Sequence, residues 1–172
     1  MRLVLFRHGP AGSADAVRWP DDSGRPLSAR GEEKTHRAAE GLAGLLGDDP
    51  VTIWTSPLIR AEQTARHLEA ALRGRARVEV VEALAPGGSE RAILDSLSRL
   101  AGDPTVVLVG HEPDLGTLAG SLVSPGHPLA LKKAGVCAIE FEGPAARGRG
   151  ELAWFLPPRI LRALPRLGRV NA

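Results

Sequence analysis

At 172 residues, with 43% apolar and 24% charged side chains, the chain is long enough to bury one sizeable core and has the composition of a soluble globular protein, so one domain over residues 1–172 is expected. No apolar run approaches a membrane span, Met1–Phe6 is too short for the core of a signal peptide, and the lone cysteine, Cys137, excludes an internal disulfide and fits a reducing cytosol. Net charge is only +2, yet six arginines against one acid, Glu151, fall between Gly143 and Ala172, a bias that reads as a solvated basic face.

In chain order, Leu3–Phe6 is short, unbroken and apolar, as in a strand buried on both sides, and it runs into Arg7-His8-Gly9. Pro10–Leu27 follows, rich in Pro, Gly, Asp and Ser; a structureless loop of that length in a compact domain tends to be functional. In Ser28–Leu46, Ala38, Leu42, Leu45 and Leu46 recur at helical spacing. Ser28 is placed to cap this helix, with Glu32 and Glu33 in the first turn where they complement the dipole. Thr52–Trp54 reads as the second strand. Ser56-Pro57 then opens a helix, serine at the cap and proline at the first helical position, and Leu58, Ala61, Ala65, Leu68 and Leu72 mark its apolar face. Val78–Val81 is a third strand and Ser89–Leu100 a third helix, with Ile93, Leu97 and Leu100 inward. Thr105–Val109 is a fourth strand, and Leu115, Leu118, Ala119 and Leu122 mark a fourth helix. Cys137–Phe141 and Leu152–Phe155 form a hairpin with a long Gly/Pro/Arg connection. In Pro157–Val170, Leu161, Leu164 and Leu167 alternate with Arg159, Arg162, Arg166 and Arg169, which reads as a segment packed on the sheet edge with a wet basic side.

Alternation of strands and helices predicts a three-layer α/β/α sandwich around a mostly parallel sheet. Ligands of such sheets sit beyond the carboxyl ends of the strands. Three polar turns fall there: Arg7-His8-Gly9, Ser56-Pro57 and Gly110-His111-Glu112, with Pro10–Leu27 expected to line the same edge.

His8 alone is one of five unremarkable histidines. Arg7 changes its reading, because a guanidinium beside an imidazole disfavours imidazolium and leaves a neutral, nucleophilic ring. Gly9 permits close backbone approach to a ligand. Arg60 falls in the first turn of a helix whose amino terminus favours anions, although by itself it could as well pair with Glu62 or Glu69. His111 adds a second histidine at a strand end. Two arginines and two histidines in neighbouring turns make a strongly positive pocket, and no Cys/His cluster has the spacing of a zinc site. The natural ligand of such a pocket is a phosphoryl group, its oxygens held by the arginines and a histidine.

LFRHGPA, PLSARGEEK, WTSPLIRAEQTA and LVGHEPDLG occur in that order, with WFLPPRIL near the end. In these motifs the chain resembles the histidine phosphatase superfamily, of phosphoglycerate-mutase-like fold, and within it the small bacterial SixA-type phosphohistidine phosphatases. Arg-His-Gly by itself is unspecific; the ordered set is specific. The resemblance implies that His8 is the nucleophile taking the phosphoryl group, that Arg7 and Arg60 clamp its oxygens, and that His111 completes the cage. A covalent phosphohistidine splits one hard displacement into two easier ones, and the cationic side chains make a metal or other cofactor unnecessary. Relatives carry a glutamate general acid after the third strand, in SixA-like sequences roughly P-E-L-x-P. Here the stretch reads Val81-Glu82-Ala83-Leu84-Ala85-Pro86, the carboxylate one residue early, so Glu82 is both a candidate acid and a plain solvated charge. Lys132 and Lys133 read as a solvated pair at the rim.

Only 51 positions separate Arg60 from His111, and the expected elements consume them. The lid-forming insertion of larger relatives has no room, so a shallow, open pocket is expected. Such a pocket suits a phosphohistidine-bearing protein better than a small phosphate ester, which would be poorly enclosed. A broad phosphomonoesterase on metabolites is the alternative, and a non-catalytic phosphate-binding module a weaker one, since binding needs no nucleophile. Nucleic-acid binding through the arginine-rich end lacks aromatic stacking residues. No nucleic acid or membrane partner is expected, and the chain is read as a cytoplasmic monomer.

Overall fold

The opening apolar run forms strand β1, Arg2–Arg7, and Leu3, Val4, Leu5 and Phe6 are all fully buried. In the computed structural model, which describes residues 1–164, β1 is followed by α1 (Ala29–Leu46), β2 (Val51–Thr55), α2 (Ile59–Ala71), β3 (Ala76–Val80), a 3-10 turn at Glu82–Leu84, α3 (Glu90–Leu97), β4 (Thr105–Gly110), α4 (Asp114–Val123), β5 (Val136–Glu140), β6 (Glu151–Leu156) and α5 (Pro158–Leu161). The strands form one sheet in the order β3-β2-β4-β1-β5-β6. β3, β2, β4 and β1 run parallel, while β5 and β6 add an antiparallel hairpin beside β1.

β1 lies inside this sheet, and the period of two along it explains its composition. Val4 and Phe6 join one core with α1, α2 and Leu161 of α5; Leu3 and Leu5 join the other with residues of α3 and α4. The result is the expected three-layer α/β/α sandwich. No helix among the described residues is long and apolar enough to cross a membrane.

Several boundaries differ from the sequence reading. α2 starts at Ile59, with Leu58 rather than Ser56 at its cap. The Ser56 hydroxyl still accepts the Leu58 N–H at 3.3 Å but is shared with the candidate site, so the chain turns before it coils. α3 stops at Leu97, leaving Leu100 packed against the core from outside a helix. β3 begins earlier and is half-exposed, because it is an edge strand with Arg77 and Glu79 in it. α5 packs on the sheet face next to α1 rather than on the sheet edge: Leu161 is fully buried, and a Cβ at Gly41 would meet its carbonyl oxygen at 2.0 Å. Arg166, Leu167 and Arg169 lie outside the described residues.

Candidate active site

Sheet register brings the three polar turns together. Arg7 pairs with Gly110 and Thr55 with Val109, so β1, β4 and β2 end side by side. The His8 N–H donates to Gly110 O at 3.0 Å and the Ser56 N–H to Val109 O at 2.9 Å, extending the parallel ladder one residue into each turn. His8 and His111, 103 positions apart in the chain, thus face each other with ring centroids 5.0 Å apart.

His8 is positioned through its own neighbours. Its Nδ1 lies 2.7 Å from the Gly9 carbonyl. A carbonyl only accepts, so Nδ1 carries the proton and the Nε2 lone pair is left for an electrophile. The ring is held neutral, its pKa lowered to about 3 first by burial, against the Gly9 hydrogen bond that raises it, then by His111, Arg60 and Arg7. The expected influence of Arg7 is real but the smallest of these; taking the ring out of water dominates. Gly9 also serves differently than expected. A Cβ there would stand 1.8 Å from Thr35 Oγ1, so the glycine lets the end of β1 press against α1. Its N–H donates to Thr64 Oγ1 at 3.0 Å, and that hydroxyl donates to Arg60 O at 2.7 Å, tying β1 to α2.

Arg60 meets neither Glu62 nor Glu69; Glu69 pairs with Arg66. Its guanidinium turns to the Pro10–Leu27 segment, where Nη2 lies 3.1 Å from Asp22 Oδ2 and Nη1 donates to Asp22 O at 2.9 Å. Arg25 grips the same carboxylate through Nε and Nη2, at 2.5 and 3.0 Å, and holds it below the usual carboxylate range. Asp22 and Arg25 are site neighbours that the sequence reading did not single out; only their place in the long loop pointed to them. Arg7 donates from Nη1 to Leu131 O at 2.7 Å.

His111 Nε2 lies 2.8 Å from Ser56 Oγ. That hydroxyl also accepts from the Leu58 N–H, and with one proton and two lone pairs it can either donate to Nε2 or accept from it; donation to Nε2 places the proton of a neutral ring on Nδ1. Burial, then Arg60, lowers the His111 pKa to about 4, with Asp114 and Asp22 opposing. His111 Nδ1, Arg7 Nε and Arg60 Nε are all buried without a protein partner. Two guanidinium donors and a ring nitrogen near His8 are a set suited to an oxyanion. Among the described residues no group of three or more His, Cys, Asp or Glu is arranged to hold a metal ion.

The site is deeper than expected. His8, Arg60 and His111 are only 6%, 4% and 4% exposed, because Asp22 folds the long loop over Arg60. No insertion roofs it, however: α2, β3, α3, β4 and short turns fill the interval between Arg60 and His111. A cavity of about 140 Å³ adjoins His111, walled by Leu84, Ile93, Leu115 and Leu118 with Asp114 beside them. Glu82 is exposed in the 3-10 turn and its carboxylate makes no hydrogen bond or ion pair among the described residues. Lys132 and Lys133 are exposed next to Leu131, at the rim.

A sequence profile described as the histidine phosphatase superfamily (branch 1) matches residues 3–85. The phosphohistidine phosphatase SixA of Escherichia coli is 27% identical over 164 residues, covering 94% of this chain and 97% of that protein. A Picosynechococcus protein described as uncharacterized is 45% identical over 143 residues, 81% of this chain and 84% of its own. Among solved structures, the protein histidine phosphatase SixA complexed with tungstate superposes with a TM-score of 0.80 at 26% identity, covering 94% of this chain and 99% of the other. A mycobacterial glucosyl-3-phosphoglycerate phosphatase shares the fold at 19% identity, with a TM-score of 0.61 over 91% of this chain and 99% of the other.

Proposed function

This chain belongs to the histidine phosphatase superfamily, in its SixA-type branch and with the phosphoglycerate-mutase-like fold, and from that membership we propose that it is a metal-independent phosphatase that removes phosphate from phosphohistidine on a protein. The observation that carries the reading is the tautomer of His8: Nδ1 is committed to the Gly9 carbonyl, so Nε2 is free to attack. Phosphorus is attacked by His8 Nε2, the bond to the leaving nitrogen breaks, and its electron pair returns to that nitrogen. Arg7, Arg60 and His111 Nδ1–H hold the oxygens as charge redistributes. The departing imidazole takes a proton from solvent. Water then attacks the phosphoryl group on His8; the P–N bond breaks, the pair returns to Nε2, one of the water's protons stays on inorganic phosphate and the other passes back to solvent.

Three further observations support this. Tungstate, the oxyanion held by a SixA structure, has the tetrahedral shape and charge of phosphate. No insertion between Arg60 and His111 adds a lid, which suits a phosphorylated side chain carried by another protein. The cavity beside His111, lined by leucines and Ile93 together with Asp114 and Glu90, has room for a five-membered imidazole ring as it leaves.

The test is a comparison of turnover. Purified protein is given a phosphohistidine-bearing carrier protein and a panel of alkyl and sugar phosphate esters. Preference for the carrier is the expected result. Preference for the esters assigns the same residues to a broad phosphomonoesterase, and turnover of neither leaves only phosphate binding.

A further inference from the structure

Arg60 is held by the side chain of Asp22, whereas Arg7 is held by a backbone carbonyl, that of Leu131. A carbonyl on a connecting segment aims a guanidinium only if the segment itself is fixed. Leu131 is fixed from the other side of the same residue: its N–H donates to Glu112 Oε1 at 2.8 Å. Glu112 directly follows His111, so the residue anchoring the support of one clamp is covalently attached to another member of the cage.

Its second oxygen is accommodated just as closely. A Cβ at Gly116, on the first turn of α4, would stand 2.7 Å from Glu112 Oε2 and 3.0 Å from Leu129 O. The Leu129 N–H donates to Gly116 O at 2.9 Å. Residues 129–131 are therefore stitched to the start of α4 by one backbone bond and one carboxylate, with a glycine where that carboxylate passes. Among the described residues Glu112 forms no ion pair, so its ordered partner is the Leu131 amide rather than a cation.

We infer that Glu112 is a positioning residue for phosphoryl binding, holding Leu131 so that its carbonyl orients the Arg7 guanidinium toward the oxygens bound at His8. Glu112 touches neither substrate nor nucleophile. It acts through Leu131 and Arg7, and so rests on the reading of Arg7 as an oxyanion clamp. Arg7 Nη1 is spent on Leu131 while Nε is buried and unpartnered, so rotation of the guanidinium about that one bond decides where the free donor points. Without the anchor Arg7 keeps its charge and loses its aim, and a clamp works through aim as well as charge.

Binding of inorganic phosphate and of tungstate, measured by calorimetry, tests this without reference to which phosphoryl donor is natural. Glu112→Ala should weaken both anions by about tenfold, the scale of one hydrogen bond. Glu112→Gln, which keeps an oxygen for the Leu131 N–H, should stay within about threefold of the parent. In an Arg7→Ala background, Glu112→Ala should add no further loss, because its effect passes through Arg7. Gly116→Ala, which pushes the carboxylate aside and leaves Glu112 in place, should reproduce the loss and serves if Glu112→Ala fails to fold. Parent-like binding in Glu112→Ala or in Gly116→Ala, or losses that multiply in the double variant, overturns the inference. If Arg7→Ala itself binds phosphate as the parent does, the clamp reading falls, and that result is distinct from the others.

Discussion

Ser56 Oγ and His111 Nε2 stand 2.8 Å apart across 55 positions of sequence, a contact that ties the turn after β2 to the turn after β4. A serine read from sequence as a helix cap thus holds a site histidine. Its hydroxyl accepts from the Leu58 N–H and hydrogen-bonds His111 Nε2, and donation to Nε2 favours the tautomer with the proton on Nδ1. Ser56→Ala should lower kcat/KM by roughly tenfold with little change in fold, since one hydrogen bond and one tautomer preference are lost. Steady-state kinetics beside a thermal melt checks this. Unchanged kinetics in a folded variant would remove the serine from the site.

Brief incubation of the parent with substrate should leave an acid-labile, base-stable phosphoryl group on the protein. His8→Ala should lack it, because it removes the ring whose Nδ1 is bonded to the Gly9 carbonyl and whose Nε2 is left for an electrophile. Label persisting in His8→Ala refutes the nucleophile assignment.

Both site histidines are held neutral, with pKa values lowered to about 3 for His8 and about 4 for His111, so protonation should not shut the nucleophile off near neutrality. The acid limb of kcat/KM should fall below pH ~5. Stability follows with a definite sign. An unfolded imidazole takes up a proton near its ordinary value of 6.5, whereas the buried ones refuse it, so the unfolded state binds more protons as pH drops. Stability is therefore full above 6.5 and is lost toward about 4 and 3, with a slope approaching about 1.4 kcal/mol per pH unit for each ring. Melts at several pH values should show this fall, shallower in His8→Ala. An equal slope in both proteins would show that His8 does not contribute.

Arg60→Ala removes a donor from the oxyanion cage and should cost roughly 3–4 kcal/mol of transition-state stabilisation, about two to three orders of magnitude in rate. Chelators should leave the parent unaffected. Activity lost on chelation and restored by a metal would contradict the metal-free reading, as would a fully active Arg60→Ala.

Glu82 is exposed and bonded to nothing among the described residues, which fits weak participation. An alkyl ester needs an acid to protonate its departing alkoxide, an aid usually worth about 10²–10⁴-fold. A phosphoimidazole leaves with less help, because its ring takes a proton from solvent. Glu82→Gln should thus stay within about tenfold of the parent on phosphohistidine. Abolished cleavage would make Glu82 an essential acid.

The strands and the layers were legible in the residue pattern, and so were the four residues read as a cage. Short unbroken apolar runs bounded by turn residues, such as Leu3–Phe6, read as buried strands, and Arg7, His8, Arg60 and His111 each follow a recognisable strand or open a helix. These are local patterns, and local patterns survive folding. What the tertiary structure decided is everything that depends on through-space partners. Whether Ser56 caps a helix or locks a histidine depends on β2 and β4 ending in register. Whether Gly9 faces a ligand or Thr35 depends on how closely α1 approaches β1. Arg60 meets Asp22 and not Glu62 because residues two apart on a helix do not face each other, and at 4% exposed Arg60 points into the site and away from solvent. Burial, which no window of sequence encodes, sets the two histidine pKa values more strongly than the adjacent charges that sequence makes visible.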